Sequence, residues 1–178
     1  MALPDWQILE LGHPKLRKLA QPVTNIHSLE SQELLDDLLT FVAQKQGMGI
    51  AAPQVGINQQ IFIMCSHPNQ RYPHAPLMEP TCVINPMILQ SSEETEKGWE
   101  GCLSIPGMRA LVPRSTSVSV RYMTRDGETI ETTYDGFLAR IFQHENDHLH
   151  GRLFIDRAES TLDLMTEKQW RQAILGEQ

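Results

Sequence analysis

The sequence predicts an α+β fold in which antiparallel or mixed β-sheets pack around a central helix that carries two histidines. Two further helix patterns lie near the amino and carboxyl ends, and several strand patterns lie between them without alternating β-α-β units. The chain has 178 residues, of which 40% are hydrophobic and 21% charged, which suits one hydrophobic core. We therefore expect a single domain over residues 1–178.

The first elements are a helix, a loop and a buried strand. Between residues 31 and 46, leucines and a valine recur at helical spacing, and Gly47 ends the pattern. Residues 47–56 are too rich in glycine, alanine and proline to be regular, so they predict a loop. The apolar run at 61–65 then predicts a buried strand at the end of this loop.

The middle of the chain predicts a surface loop, a strand and a hairpin. Four prolines within 66–80 disfavour regular structure, and a strand is expected at 81–85, with its continuation after Pro86 left open. Apolar residues alternate over 118–122 and again over 130–134, and an Asp-Gly pair between these runs favours a tight turn. These two runs predict an antiparallel hairpin.

The carboxyl-terminal part predicts a helix, a short strand and a last helix. The helix covers 136–150 and ends at Gly151, and the apolar residues at 153–155 are a strand candidate. Ser160 is placed to cap a last helix that continues to residue 174. We expect this last helix to pack on its own domain, although it could dock to a larger partner.

Two histidines lie four residues apart on the 136–150 helix. His144 and His148 are offset by about 40° and about 6 Å, so both rings can bind one metal ion beside Glu145. Phe137 and Ile141 lie on the same face, which therefore points inward. A metal ion with a neighbouring carboxylate activates water, which indicates a hydrolase. The alternative is a pair of hydrogen-bonded core histidines.

A catalytic site of this kind requires a third protein ligand. Phe154 stands where the metzincin pattern requires its third histidine, which argues against that class. Glu159 or Glu167 would complete a thermolysin-like site, whereas surface charge explains them more simply. Cys102, which follows the flexible Gly101 in a short loop, is the better candidate, because a thiolate with two imidazoles suits Zn²⁺ or Fe²⁺.

Composition and charge exclude several classes of function. The net charge is -7 and no basic stripe is visible, which argues against a nucleic-acid partner. No apolar run is long enough for a membrane span and no secretory signal is visible at the amino terminus, so we expect a cytoplasmic protein. Three cysteines without C-x-x-C spacing fit a reducing compartment without disulfides.

Three segments resemble, in order and spacing, the signature motifs of the peptide deformylases. They are GMGIAAPQ at 47–54, EGCLS at 100–104 and QHENDHL at 143–149. The resemblance covers most of the chain from residue 16 onward and lapses in the proline-rich 66–80 loop and in the last helix.

The resemblance implies an enzyme that removes the N-formyl group from the initiator methionine of new polypeptides and releases formate. It implies that Cys102, His144 and His148 hold one divalent ion, with water as the fourth ligand. The ion would be Fe²⁺ in the cell, and Zn²⁺, Ni²⁺ or Co²⁺ could replace it. Glu145 would take a proton from this water and later deliver it to the departing amine.

The resemblance also implies roles for residues around the metal. The Gln54 side chain and the Leu103 backbone N–H would face the formyl oxygen as it gains negative charge. An apolar slot is needed for the methionine side chain, and the following peptide needs an extended path. We expect these substrate-binding residues to be Met48, Gly49, Trp99, Gly101, Arg109, Phe137 and Ile141. The expected partner is the N-formylmethionyl nascent chain, and the ribosome is a candidate partner.

Two other functions stay open at this point. A metalloprotease that cleaves internal peptide bonds would use a third ligand other than Cys102 and an open cleft. A deformylase-like fold retained only for binding would have lost a motif residue, whereas all the motif residues are present.

Overall fold

Two antiparallel sheets and three α-helices make up the computed structural model over residues 6–177, the part of the chain that it describes. Residues 1–5, to which the expectation of no secretory signal refers, lie outside these described residues. No helix within 6–177 has both the length and the apolar composition that a membrane crossing requires.

The first helix, α1, spans Leu29–Gln44 and begins earlier than the predicted residue 31. The Ser28 side chain caps it by accepting a hydrogen bond from the backbone N–H of Ser31 at 3.2 Å. Leu35 and Leu38 are fully buried in the core that α1 forms with the larger sheet. The predicted helix is therefore confirmed, with its start set by the serine cap.

The larger sheet has five strands in the order β1-β2-β3-β6-β7. Its strands are β1 Gly49–Ala51, β2 Ile61–Ser66, β3 Met78–Ser91, β6 Ser117–Met123 and β7 Thr129–Asp135. The β6–β7 hairpin is confirmed, with Gly127 in its turn at a φ of 82°. β3 begins at Met78, inside the predicted loop, and continues past Pro86, because this proline falls where the pairing with β6 shifts register.

The smaller sheet has three strands in the order β4-β5-β8. They are β4 Thr95–Cys102, β5 Ile105–Ser115 and β8 Leu164–Thr166. Cys102 pairs with Ile105 at the tight connection between β4 and β5. The expected short loop around Cys102 is thus the end of a hairpin, which fixes the cysteine more firmly than a free loop would.

The second helix, α2, spans Gly136–Leu149 and carries both histidines, as predicted. It contacts β1, β2, β6 and β7 of the larger sheet and β5 of the smaller one. Ile141, Phe142 and His148 are among its buried residues. The histidine-bearing face therefore meets strands of both sheets.

Two predictions in the carboxyl-terminal part are wrong. The candidate strand at 153–155 is replaced by a 3-10 turn over Phe154–Arg157, because the Asp156 carboxylate accepts a hydrogen bond from the Leu153 N–H at 2.8 Å. The predicted helix from Ser160 is broken, because pairing with β5 draws 164–166 into β8. Ser160 caps only a 3-10 turn at Thr161–Asp163, and helical structure resumes after β8 as α3, Glu167–Trp170, and the π-turn Arg171–Leu175.

Candidate active site

The side chains of Cys102, His144 and His148 converge, with their ligand atoms within 4.8 Å of one another. Cys102 comes from the end of β4, and both histidines come from α2. The Cys102 Sγ atom lies 3.3 Å from Nε2 of His148. One thiolate and two imidazoles are a donor set that suits Zn²⁺ or Fe²⁺, so these residues fit a divalent metal ion.

The surroundings of Cys102 favour its thiolate form. Burial alone raises the pKa of the thiol, but charges and hydrogen bonds of His148 and His144 lower it well below its ordinary value. The other two cysteines differ, because burial raises the pKa of Cys65 to about 11 and also raises that of Cys82. Only Cys102 among them therefore has the chemistry of a metal ligand.

Glu100 orients one of the histidines. Its Oε2 atom accepts a hydrogen bond from Nδ1 of His144 at 2.8 Å, so the proton is on Nδ1 and Nε2 is free to bind a metal. Phe154, the residue that argues against the metzincin class, stacks against the His144 ring with centroids 6.1 Å apart. The ring is thus held by a hydrogen bond and by packing.

A buried ion-pair network holds Glu100 in place. Arg114 donates two hydrogen bonds to its carboxylate, at 2.9 and 3.0 Å, and Arg140 donates a third at 2.9 Å. Arg114 also pairs with Asp147, and Arg157 pairs with the same aspartate, each at 2.6 Å. Asp147 therefore joins Arg114 and Arg157 in this network.

Sequence reasoning did not identify Glu100, Arg114 and Arg140 as part of the site. For Glu100 a signal existed, since it lies two residues before the proposed ligand in the EGCLS segment. No local pattern marks the two arginines, because they reach Glu100 from β5 and α2.

Glu145 lies beside the metal-ligand cluster without a partner of its own. It is 5% exposed, and its Oε2 atom has no hydrogen-bond partner among the residues that the structure describes. Burial raises the pKa of this carboxyl group to about 7, against the opposing charges of His144 and His148. A Cβ at Gly49 would overlap the Glu145 carboxylate, so β1 approaches this group closely. Such a group can take and return a proton near neutral pH.

Gln54 is fixed with its amide nitrogen toward the cluster. Its Oε1 atom accepts a hydrogen bond from the Ala51 N–H at 2.9 Å, and its Nε2 atom donates to Ser104 Oγ at 3.1 Å. The same nitrogen lies 3.3 Å from Cys102 Sγ. A buried, oriented N–H donor beside a metal-ligand cluster can stabilise negative charge on a reacting oxygen.

A cavity of about 270 Å³ opens beside the cluster. The predicted site residues that line it are Met48, Gly49, Gln54, Trp99, Gly101, Cys102, Leu103, Arg109, Phe137, Ile141, His144 and Glu145. His148 is 1% exposed and is not among the lining residues. The lining also includes Tyr72 and Arg140, which the sequence did not indicate, and Glu167, which it indicated only as an alternative metal ligand.

The other ligand candidates are engaged elsewhere. Glu159 pairs with Lys97 at 2.7 Å, and Glu167 pairs with Arg109. Within residues 6–177 the cluster of possible ligands contains neither glutamate. The arrangement favours a Cys-His-His site over a thermolysin-like one.

Comparison with known proteins places these features in a family. The family model for polypeptide deformylases matches residues 6–163. The chain is 52% identical over 167 residues to peptide deformylase 2 of a Nostoc species, covering 94% of this chain and 93% of the relative. It is 45% identical over 150 residues to peptide deformylase 1 of Bordetella pertussis, covering 84% and 85%.

Solved structures agree with the sequence relatives. The Met-Ala-Ser-bound class I type b peptide deformylase of Acinetobacter baumannii matches with a TM-score of 0.83 and 43% identity, covering 88% of this chain and 98% of that one. The peptide deformylase of Thermotoga maritima matches with a TM-score of 0.78 and 38% identity, covering 90% and 100%.

Proposed function

Because the chain belongs to the polypeptide deformylase family and is an enzyme that removes the N-formyl group from new polypeptides, we propose which of its residues perform the reaction. Cys102, His144 and His148 hold one divalent ion, and Fe²⁺ is the ion used in the cell. The observation that carries this proposal is the convergence of these three side chains, two of which, Cys102 and His144, line the same cavity as Glu145.

A divalent ion bound by these residues supplies a Lewis acid that lowers the pKa of water and polarises the formyl carbonyl. Glu145 accepts the proton of the attacking water at its carboxylate, whose Oε2 atom has no hydrogen-bond partner within the described residues. It then gives this proton to the amine as the bond between the formyl carbon and the nitrogen breaks. A pKa near 7 suits both steps, because the group can hold or release a proton at neutral pH.

The formyl oxygen gains negative charge as water adds to the formyl carbon. Nε2 of Gln54 and the backbone N–H of Leu103 donate hydrogen bonds to this oxygen. Ala51 and Ser104 already fix the Gln54 amide, and its second N–H, 3.3 Å from Cys102 Sγ, points toward the cluster beside which the formyl group binds. Donors that are oriented before the reaction stabilise the transition state without a reorganisation cost.

The methionine side chain of the substrate enters the apolar part of the cavity. Met48, Trp99, Phe137 and Ile141 supply apolar surface there. The peptide continues in an extended form along Gly49 and Gly101. In the cell this peptide is a nascent chain, which makes the ribosome the candidate partner.

The test is formate release from formyl-Met-Ala-Ser by metal-free protein and by protein loaded with Fe²⁺, Ni²⁺ or Zn²⁺. We expect release only from loaded protein, and the rate with Fe²⁺ should be lost after oxidation and restored by fresh ion under reducing conditions. Release by metal-free protein, or no release with any ion, would overturn the proposal. Cleavage of an internal bond in an unformylated peptide would instead favour the metalloprotease alternative.

A further inference from the structure

Arg109 reaches the cavity from β5, yet its charge is already paired. Its Nε and Nη2 atoms donate hydrogen bonds to the Glu167 carboxylate, with Nη2 3.2 Å from Oε1. Its Nη1 atom donates to the Tyr72 hydroxyl at 2.9 Å. The guanidinium carbon also lies 4.5 Å from the ring centre of Trp170. Arg109 is 3% exposed, so this cation is enclosed by its partners.

Two of these partners come from the part of the chain that follows the family match. Glu167 and Trp170 lie after residue 163, where the family match ends, and Tyr72 lies in the proline-rich loop. β8 pairs with β5 directly at Arg109, opposite Met165, which places Glu167 two residues further along. The position of Glu167 is therefore set by strand register.

The paired arginine forms part of the wall of the active-site cavity. A Cβ at Gly101 would overlap the Arg109 guanidinium, so this group lies against the residue next to the proposed ligand Cys102. Tyr72, Arg109 and Glu167 line the same cavity as Cys102. A peptide extending from the metal-ligand cluster along Gly101 would pass this wall.

The net charge of the cavity wall formed by Tyr72, Arg109 and Glu167 depends on Glu167. Its side chain is 26% exposed and also pairs with Arg171 at 3.3 Å. Lys45 and Arg71 line the same cavity, so a substrate meets other cations there as well. Glu167 cancels the charge of Arg109 and presents a carboxylate of its own, which repels a second carboxylate.

We propose that Glu167 is a specificity-determining residue that makes the cavity less favourable for a negatively charged side chain in the peptide after the formylmethionine. A substrate carboxylate finds Arg109 already paired and meets the repulsion of Glu167. A neutral side chain is not repelled by Glu167, and a cationic one is attracted to it. This inference rests on the deformylase function proposed above.

The test compares kcat/KM for formyl-Met-Xaa-Ala-amide and formyl-Met-Ala-Xaa-amide, with Glu, Gln or Lys as Xaa. Glu167→Gln keeps the shape of the side chain and removes its charge. In this variant we expect the kcat/KM of the Glu peptide, divided by that of the Gln peptide, to rise by at least about threefold over the wild-type value at one of the two positions. The corresponding ratio of the Lys peptide to the Gln peptide should fall at that position. Because Lys45 and Arg71 are present in both the wild type and the variant, the difference between their peptide ratios measures the effect of Glu167.

Asp163→Asn is the matched control. It removes the same charge from the same carboxyl-terminal segment, but Asp163 faces Lys97 at 3.2 Å and does not line the cavity. We expect its peptide ratios to equal those of the wild type. Arg171→Gln is a second variant that removes a cationic partner of Glu167, and it should shift the ratios in the opposite direction.

Two results would overturn the inference. In one, the ratios of Glu167→Gln stay at the wild-type values; in the other, all peptides change by one common factor, as loosening of the segment would cause. If Glu167→Gln fails to fold, the direction in which Arg171→Gln changes the peptide ratios tests the inference instead. Failure of the proposed function is distinguishable, because no peptide would then release formate with either the wild type or the variants.

Discussion

Nδ1 of His144 donates a hydrogen bond of 2.8 Å to the buried carboxylate of Glu100. Arg114 from β5 and Arg140 from α2 hold that carboxylate, so the orientation of the histidine depends on a network that extends beyond the motif helix. Arg114 and its neighbours keep the pKa of Glu100 far below its ordinary range, although burial by itself raises it. The glutamate is therefore an anion that fixes both the ring orientation and the tautomer of His144.

Glu100→Gln should weaken metal binding without removing a ligand. The amide cannot serve as an anionic acceptor for both His144 and the arginines, so we expect metal affinity to fall by about 10- to 100-fold. Competition with a coloured chelator measures this affinity. Glu96→Gln, on the exposed part of the same strand, should bind metal like the wild type. Unchanged affinity in Glu100→Gln would show that the ring needs no such support.

Cys102→Ala should abolish stable metal binding, because it removes the only thiolate of the cluster. Cys65→Ala is the control, since burial raises the pKa of Cys65 to about 11 and its thiol stays protonated. Metal content after gel filtration distinguishes the two variants. Full occupancy in Cys102→Ala, or loss of metal in Cys65→Ala, would contradict the assigned ligands.

Glu145→Gln should reduce kcat by at least about 10²-fold while metal content stays at the wild-type level. The amide has nearly the shape of the carboxylate but cannot accept and return a proton. Formate release and metal analysis of the same preparation check both parts of the prediction. Retained turnover would remove Glu145 from the proton transfer, and loss of the ion would make it a ligand.

Gln54→Ala should reduce kcat by about 10²- to 10³-fold, because the oxygen that gains charge loses an oriented donor. KM should change less than kcat, since the donor matters most in the transition state. Gln60→Ala is the control, because the amide of Gln60 donates to the Ala20 carbonyl at 3.2 Å and does not line the cavity. An effect confined to KM would indicate that Gln54 only binds the substrate.

Asp156→Asn should lower stability at neutral pH but not in acid. Arg17 and the Leu153 N–H lower the pKa of Asp156 in the folded state, against the opposing effect of burial. The stabilisation is therefore present above the unfolded value of about 3.9 and is lost as pH falls through the lower folded value. We expect a difference of about 0.5–1 kcal/mol at pH 7, because the pair is partly exposed.

Urea unfolding of wild type and Asp156→Asn across the acid range measures that difference. It should shrink toward zero below the folded pKa of the aspartate. A difference that stays constant with pH would show that the side chain acts through packing or through the hydrogen bond to Leu153, and not through its charge.

The local elements could be predicted where the pattern is short and repeated. The 3.6-residue period on α2 puts His144 and His148 on one buried face, and the Asp-Gly turn closes the β6–β7 hairpin. Three short motifs that match a known family contain most of the predicted residues that line the cavity, whereas Trp99, Arg109, Phe137 and Ile141 lie outside these motifs. These features depend on residues close together in the chain.

The predictions failed where distant pairing competes with local preference. Residues 160–174 have helical spacing, yet 164–166 pair with β5 as β8 and delay the helix to Glu167. Pairing between strands that are more than fifty residues apart in the chain does not appear as a periodic pattern in either segment. The contact between Arg109 and Glu167 could not be predicted for the same reason, because it follows from that pairing.

By itself the sequence determined the histidine-bearing helix, the family resemblance and the reaction class, because each depends on residue types at fixed local spacing. Only the tertiary structure decided that Glu100 orients His144, that Arg114 and Arg140 hold Glu100, and that Glu167 neutralises Arg109 at the cavity wall. Those contacts form between side chains from separate strands and helices, and their geometry exists only once the register of both sheets is fixed.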